Sequence, residues 1–211
     1  VIAPFECLGC GSEGCLICVD CTAQLAVIPS RCYHCRKLTT DFRTCTSCRS
    51  SSKLYALQPR TIYSGVAKSL VGRLKFYGAQ SAAKEIAKLL STHALPEGCI
   101  VVPVPTATSR ARQRGYDQAK RIARDFARHN NLPYLDCLAR IGQSHQVGAR
   151  RSQRIKQLRN AYRVKSGMRV KGIEIILIDD VLTTGATLEA AAACLKASGA
   201  KRICAQTFTQ A

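Results

Sequence analysis

Asp179 and Asp180 stand between an apolar run, residues 173–178, and the turn Leu182-Thr183-Thr184-Gly185-Ala186-Thr187, within the stretch IEIILIDDVLTTGATLEAAAACLKASGA. Burying ionised carboxylates without a partner is costly, so a ligand that uses both acids is expected. The turn has the makings of a phosphate cradle. Gly185 lets the backbone approach an anion closely, and Thr183, Thr184 and Thr187 bring hydroxyl donors on either side of Gly185 and Ala186. One step back along the chain, the two carboxylates can accept hydrogen bonds from a vicinal diol such as the 2′ and 3′ hydroxyls of a ribose. One phosphate and one diol together describe a ribose 5-phosphate. The same acid pair also suits Mg²⁺ or a helix cap, as at the strand ends of doubly wound folds.

These residues have to be positioned by the elements around them. Residues 173–178 are β-branched and nearly all apolar, the pattern of a parallel strand covered on both faces. From Thr187 onward Leu188, Ala191, Ala192 and Leu195 recur at helical spacing, with Thr187 the expected N-cap and Gly199 the expected stop. The turn therefore opens onto a helix N-terminus, where free N–H groups and the positive end of the dipole favour a phosphate. This order of strand, acid pair, T-T-G-x-T turn and helix resembles the signature of the phosphoribosyltransferase superfamily, which binds phosphoribosyl pyrophosphate (PRPP). The resemblance implies that Asp179 and Asp180 hold the ribose, and that Thr183, Thr184, Gly185, Ala186 and Thr187 hold the 5-phosphate.

A different chemistry occupies the first 48 residues. Four C-x-x-C knuckles, Cys7/Cys10, Cys18/Cys21, Cys32/Cys35 and Cys45/Cys48, each aim two sulfurs at one point, and two knuckles complete a tetrahedral S₄ site. Two structural zinc ions are expected. Joining neighbouring knuckles leaves 7 and 9 intervening residues and joining alternate ones leaves 21 and 23; both are open, with neighbours slightly favoured as in compact double zinc ribbons. Cys15 forms a further C-x-x-C with Cys18, and His34 can replace a thiolate. So small a segment has few residues for a core, so metal must supply most of its folding free energy, and a closed S₄ site leaves no catalytic position. A redox dithiol would show one reactive knuckle on an α/β scaffold, not four in series. Cys99, Cys137, Cys194 and Cys204 lie in apolar settings and read as ordinary buried thiols. Thirteen cysteines and no visible signal peptide in the opening VIAPFEC lead us to expect metal binding in a reducing cytoplasm rather than disulfides. Ser50, Ser51 and Ser52 read as a short linker, dividing a cysteine-rich module, residues 1–52, from a second domain, residues 53–211.

At 211 residues and 46% hydrophobic, the chain suits a soluble protein of one moderate domain with an appendage, and no apolar stretch approaches the ~18 residues of a membrane span. Its formal charge is +19; eight thiolates on two Zn²⁺ would change it by 2 × (2 − 4), leaving +15, still a field that favours polyanions. Residues 110–163 hold 14 Lys/Arg against Asp117, Asp125 and Asp136, a formal +11. A solvated surface, a pyrophosphate site and a nucleic-acid site are all compatible with that.

The remaining chain supplies two helices in TIYSGVAKSLVGRLKFYGAQSAAKEIAKLL, a buried strand at residues 99–104, a helix capped by Asp117 with Ala119, Ile122, Ala123, Phe126 and Ala127 inward, and a last strand at residues 203–208. An α/β fold with a mostly parallel sheet between helices follows. VPVPT, then R-x-R-x-R-G-Y-D-Q from Arg110 to Gln118, and LKFYG from Leu74, resemble the competence protein ComF family, which includes the GntX-like proteins and joins a zinc module to a phosphoribosyltransferase-like domain. The family commonly reads R-G-F-N-Q where this chain has Arg114-Gly115-Tyr116-Asp117-Gln118, and R-x-x-N where it has Arg154-Ile-Lys-Gln157.

The resemblance implies a pyrophosphate side at Val104, Pro105, Thr106, Arg112 and Arg114, with Mg²⁺ accompanying PRPP. It also implies a mobile loop, ARIGQSHQVGARRSQRIKQLR, in which Gly142 and Gly148 permit movement and Arg150, Arg151 and Arg154 can neutralise a leaving pyrophosphate. It further implies a role in natural transformation with single-stranded DNA as partner; Arg121, Arg124 and Arg128 on one helix face, with Arg150, Arg151 and Arg154, are the expected phosphate contacts. No G-x-x-x-x-G-K-[ST] loop is present, so a partner ATPase, by resemblance a competence helicase, is expected as the motor. With 6% aromatics and no Trp, little base stacking or sequence preference is expected. A transferase moving phosphoribose onto a nucleobase or other acceptor uses the same pocket, although no acceptor site or general base is legible. A PRPP-sensing regulator is disfavoured by the lack of a helix-turn-helix.

Overall fold

The structure, a computed structural model, describes residues 5–75, 79–91, 95–106, 115–141 and 161–211. Its centre is β5 (Glu174–Leu182), whose apolar run faces both ways. Ile175 and Leu177 enter one hydrophobic layer and Ile176 and Ile178 the other. β6 (Arg202–Gln210) and β2 (Ile100–Pro103) flank it, and β1 (Ala56–Ile62) closes the far side of β6, giving a sheet in the order β1-β6-β5-β2 with every pairing parallel.

Helices α3 (Gly65–Lys75), α4 (Ala79–Leu90) and α5 (Gln118–His129) cover one face, sharing a core with Ile176, Ile178 and Phe208. The Asp117 carboxylate accepts from the Lys120 N–H as the N-cap of α5, and Ala119, Ile122, Ala123, Phe126 and Ala127 are buried, as the spacing requires. α6 (Ala186–Ala197) covers the other face through Leu188, Ala191, Ala192 and Leu195. Its C-terminus closes at Gly199 in the left-handed region, φ 89°, with the Ala200 N–H returning to the Leu195 carbonyl.

Three features differ from the sequence reading. α6 begins at Ala186, capped by Gly185 at φ 77°, so Thr187 lies in the first turn and is not the cap. β1 was not read as a strand because Pro59 and Arg60 interrupt its pattern, yet Leu57, Pro59 and Thr61 are buried in alternation; an edge strand tolerates the missing proline N–H. β3 (Leu138–Arg140) and β4 (Tyr162–Val164) form a separate antiparallel pair, too short to show periodicity in sequence.

The cysteine-rich segment carries α1 (Val19–Ala23) and α2 (Thr46–Arg49), each running into the second cysteine of a knuckle. Cys7, Leu16, Ile17, Cys21 and Leu25 are buried in the same core as α3 and α4. Ser52, read as part of a linker, is buried and hydrogen-bonded to Tyr33 and Glu189. Among the described residues no helix is long and apolar enough to cross a membrane.

Candidate functional site

The pairing of β2 with β5 ends at Pro103 and Ile178, while β5 continues alongside β6 to Leu182. The acid pair thus sits at the carboxyl edge of the sheet, one residue past the last β2 contact. Ligands of open α/β sheets bind at this edge. The Asp180 N–H donates to Asp179 Oδ1 at 2.9 Å, so the two carboxyls are not equivalent. Desolvation by the surrounding protein, and then the adjacent Asp180 charge, push the Asp179 pKa well above the usual carboxylate range. A cation or a ring of hydroxyls brought to this point relieves that repulsion.

After the acids come exposed Thr183 and Thr184, then Gly185, buried, then Ala186 and Thr187 in the first turn of α6. First-turn N–H groups have no carbonyl four residues back within the helix; that of Ala186 turns back to the Thr184 hydroxyl oxygen at 3.4 Å, a contact that an anion at the helix start can replace. Gly185 is required twice over. Its φ is left-handed, and an added Cβ would lie 3.2 Å from Tyr33 Cδ2.

Across the cleft, the Val104 N–H donates to the Ile178 carbonyl at 3.0 Å, and the Thr106 N–H and hydroxyl donate to the Asp117 carboxylate at 2.9 and 3.1 Å. Pro105 has no N–H. The main-chain donors of Val104 and Thr106 are therefore used in shaping the loop. Asp117, where the ComF pattern has Asn, ties that loop to α5. Arg112 and Arg114 lie outside the described residues, as do Arg150, Arg151, Arg154 and the rest of residues 142–160.

The eight cysteines form two tetrads, Cys7, Cys10, Cys18, Cys21 and Cys32, Cys35, Cys45, Cys48, with the four sulfurs of each all within 4.8 Å of one another. Neighbouring knuckles pair, and neither Cys15 nor His34 joins a tetrad. The N–H groups of Cys10, Cys18 and Gly9 favour the Cys7 thiolate and bring its pKa down to about 6; the Ser47 hydroxyl is the main cause of a similar value at Cys45. In the same tetrads Cys21 is driven up to about 12, first by its bond with the Cys18 sulfur, and Cys48 to about 12, first by burial. Four sulfurs so close cannot all ionise unaided; a divalent, thiophilic ion such as zinc fits both sites.

Residues 100–210 match the phosphoribosyl transferase domain family. The chain belongs to that family. It is 27% identical over 205 residues to competence protein ComFC of Bacillus subtilis (strain 168), covering 92% of this chain and 82% of that protein. To competence protein F of Haemophilus influenzae it is 26% identical over 220 residues, covering 88% and 93%. The resemblance to the ComF family is thereby borne out. A solved structure of glutamine PRPP amidotransferase from B. subtilis, complexed with ADP and GMP, superposes with a TM-score of 0.47 at 18% identity, over 64% of this chain and 30% of that one, so the chain spans under a third of that protein.

Four residues near the cleft escaped the sequence reading, three in the phosphoribosyl transferase domain and one in the cysteine module. β4 brings Tyr162 close enough to Asp179 to feel its charge; burial first, against the neighbouring Arg140, takes the Tyr162 hydroxyl up to about 12. Arg140 Nη1 donates to that hydroxyl at 3.4 Å. From the cysteine module, Tyr33 lays its ring on Gly185 and gives its hydroxyl to Glu189 on α6. Glu189 also accepts from Ser52 Oγ at 2.5 Å and from the Lys53 N–H at 3.0 Å. Tyr33 lies between two cysteines of the second tetrad, so the module braces the Gly185 turn. Nothing local marks these contacts, which span up to 156 residues.

On α5, Arg121 stacks over Tyr116 at 4.3 Å and Arg124 over Tyr134 at 5.6 Å, while Arg128 pairs with Asp125 at 3.3 Å. Lys120 and Lys165 both bind Asp136, at 2.7 and 2.9 Å. The three arginines share the face away from the core, as expected.

Proposed function

We propose that the chain is a ComF-like protein that binds Mg-PRPP and acts on single-stranded DNA during uptake or processing in natural transformation. One observation carries the first half: an acid pair near the carboxyl end of β5 is followed, after Val181, Leu182 and two threonines, by a left-handed glycine that opens α6. In this reading the turn, residues 183–187, takes the 5-phosphate through first-turn N–H groups and threonine hydroxyls. Asp179 and Asp180 orient the ribose by accepting from its diol. Arg112 and Arg114 face the pyrophosphate, together with Val104, Pro105 and Thr106, whose contribution is the shape of the wall. Bound Mg²⁺ would supply the charge that neutralises pyrophosphate. The competence names of the relatives support the second half, as does the basic charge of the chain. Two structural zinc ions hold together the cysteine module, residues 1–52, which packs on the domain of residues 53–211. The setting is the cytoplasm, with a helicase or other ATPase partner as the motor.

The intact acid pair and turn also favour a second reading, in which phosphoribose is transferred to an acceptor with release of pyrophosphate. Titration calorimetry with Mg-PRPP tests the pocket: wild-type protein is expected to bind, and the Asp179→Asn/Asp180→Asn variant is not. Unchanged affinity in the double variant overturns the pocket assignment. Pyrophosphate release measured over a panel of bases and oligonucleotides separates the readings, since release that depends on one acceptor makes the chain a transferase.

A further inference from the structure

At the amino edge of the sheet, opposite the phosphate turn, lies a second concentration of charge. Tyr55 immediately precedes β1, and three guanidinium groups converge on its ring: Arg43 at 5.7 Å, Arg49 at 5.4 Å and Arg202 at 4.7 Å from the centroid. Lys53, Lys196 and Lys201 join Arg49 and Arg202 around the same open concavity of about 600 Å³, floored by Leu54, Tyr55 and Ile203. Arg43, Arg49, Lys53, Lys201 and Arg202 are exposed.

Six cations in one place repel one another, and the described acids answer only part of that charge. Asp41 pairs with Arg43, and Glu174 is shared by Lys201 and Arg202. Among the described residues Arg49, Lys53 and Lys196 have no ion-pair partner; Arg49 donates to the Thr44 carbonyl and Lys196 to the Lys201 carbonyl. Glu189, the remaining nearby acid, is turned inward onto Tyr33, Ser52 and the Lys53 backbone. Such a surface is complete only when an anion enters it.

Resting on the single-stranded DNA role above, we propose that this concavity is a binding surface for the phosphate backbone of a single strand, separate from the PRPP pocket. The forked donors of three arginines match phosphate oxygens. A protein partner would need an apolar centre to pack against; here Leu54 and Ile203 are fully covered and the rim is cationic. β6 rises roughly 26 Å from Arg202 to Gln210, so a strand bound here does not compete with a ligand at the carboxyl edge. The surface draws on both parts of the chain. Arg43 and Arg49 come from the cysteine module, Arg49 next to Cys48 of the second tetrad, and Lys196, Lys201 and Arg202 from the domain.

The test is a fluorescence-anisotropy titration of the full chain with labelled oligothymidylate and oligoadenylate at several salt concentrations. For Arg49→Gln/Lys53→Gln/Arg202→Gln, the slope of log affinity against log salt should become shallower by about 2, from about 0.7 per phosphate contact. Read back from 1 M salt, that is roughly a hundredfold weaker binding at 0.1 M, alike for both sequences. Mg-PRPP affinity should be unchanged. If that variant fails to fold, Lys196→Gln/Lys201→Gln carries the same test with a slope change of about 1.4. Wild-type binding with an unaltered slope in a folded variant overturns the surface and leaves the DNA role standing. No wild-type binding at low salt removes the DNA role and this proposal together. Displacement of the oligonucleotide by polyglutamate as effective as by unlabelled strand assigns the concavity to an acidic protein and also overturns it.

Discussion

Replacing Tyr33 with Phe isolates one hydroxyl in the bridge between the cysteine module and α6. In the wild-type chain that hydroxyl meets Glu189 and Ser52 Oγ, the latter at 2.7 Å. The Phe ring keeps its place on Gly185, so no cavity opens. What is lost is a hydrogen bond to a charged, partly buried carboxylate, which contributes about 1.5–3 kcal/mol. Glu189 retains Ser52 and the Lys53 and Leu54 N–H groups, which argues for the middle of that range, about 2 kcal/mol. For a chain of this length each kcal/mol moves the melting temperature by about 2–4 °C, so a fall of about 4–8 °C is expected in calorimetry of the zinc-loaded protein. Mg-PRPP affinity should change little. Tyr33→Ala also removes the ring, adding a large-to-small loss of about 3 kcal/mol, and frees the Gly185 turn, so PRPP affinity should drop as well. If Tyr33→Phe melts within about 1 °C of wild type, well short of the shift that bond implies, the hydroxyl does not hold Glu189. Wild-type PRPP affinity in a folded Tyr33→Ala protein would show that the module does not brace the turn.

Asp179→Asn should raise the melting temperature at pH 7 while abolishing Mg-PRPP binding. The folded chain holds the Asp179 proton to higher pH than the unfolded chain does, so wild-type stability falls as pH rises from about 4 through the raised pKa. The gain in the variant should therefore vanish below about pH 4; a variant no more stable at pH 7 than at pH 4, relative to wild type, refutes the electrostatic account. Metal analysis of unchelated protein should return two zinc ions per chain, and strong chelation should lower the melting temperature of residues 53–211 as well, because Leu16, Ile17 and Leu25 lie in the core beneath α3 and α4. Independent melting of the two parts after chelation contradicts that. Arg121→Gln/Arg124→Gln/Arg128→Gln should make the oligonucleotide salt slope shallower by about 2, with PRPP affinity intact; an unaltered slope makes the α5 face a solvated surface.

Much of this protein was legible locally. The run of residues 173–178, the acids and the T-T-G-x-T turn are contiguous, so one short stretch specifies strand, site and helix in register. The knuckles are equally local, since a C-x-x-C turn converges its own sulfurs. Their pairing was not, because 7 or 21 intervening residues can both close a tetrad; the packing of Cys7 and Cys21 against α3 and α4 accompanies the neighbouring choice. β1 was hidden because it is an edge strand whose Pro59 breaks the pattern, and its identity comes from pairing with β6, far along the chain.

What the sequence by itself determined is therefore the chemistry available: a glycine- and threonine-rich turn at a helix start, an acid pair, eight paired cysteines and a large positive charge. Tertiary structure alone decided how these parts meet. It set Tyr33 against Gly185, turned the loop-side N–H groups of Val104 and Thr106 inward, and gathered six cations from two separated segments around Tyr55. The reason is physical. Hydrogen bonds within a turn or knuckle are set by neighbours a few residues apart, whereas a contact across 156 residues exists only after the sheet and both core layers have closed around it.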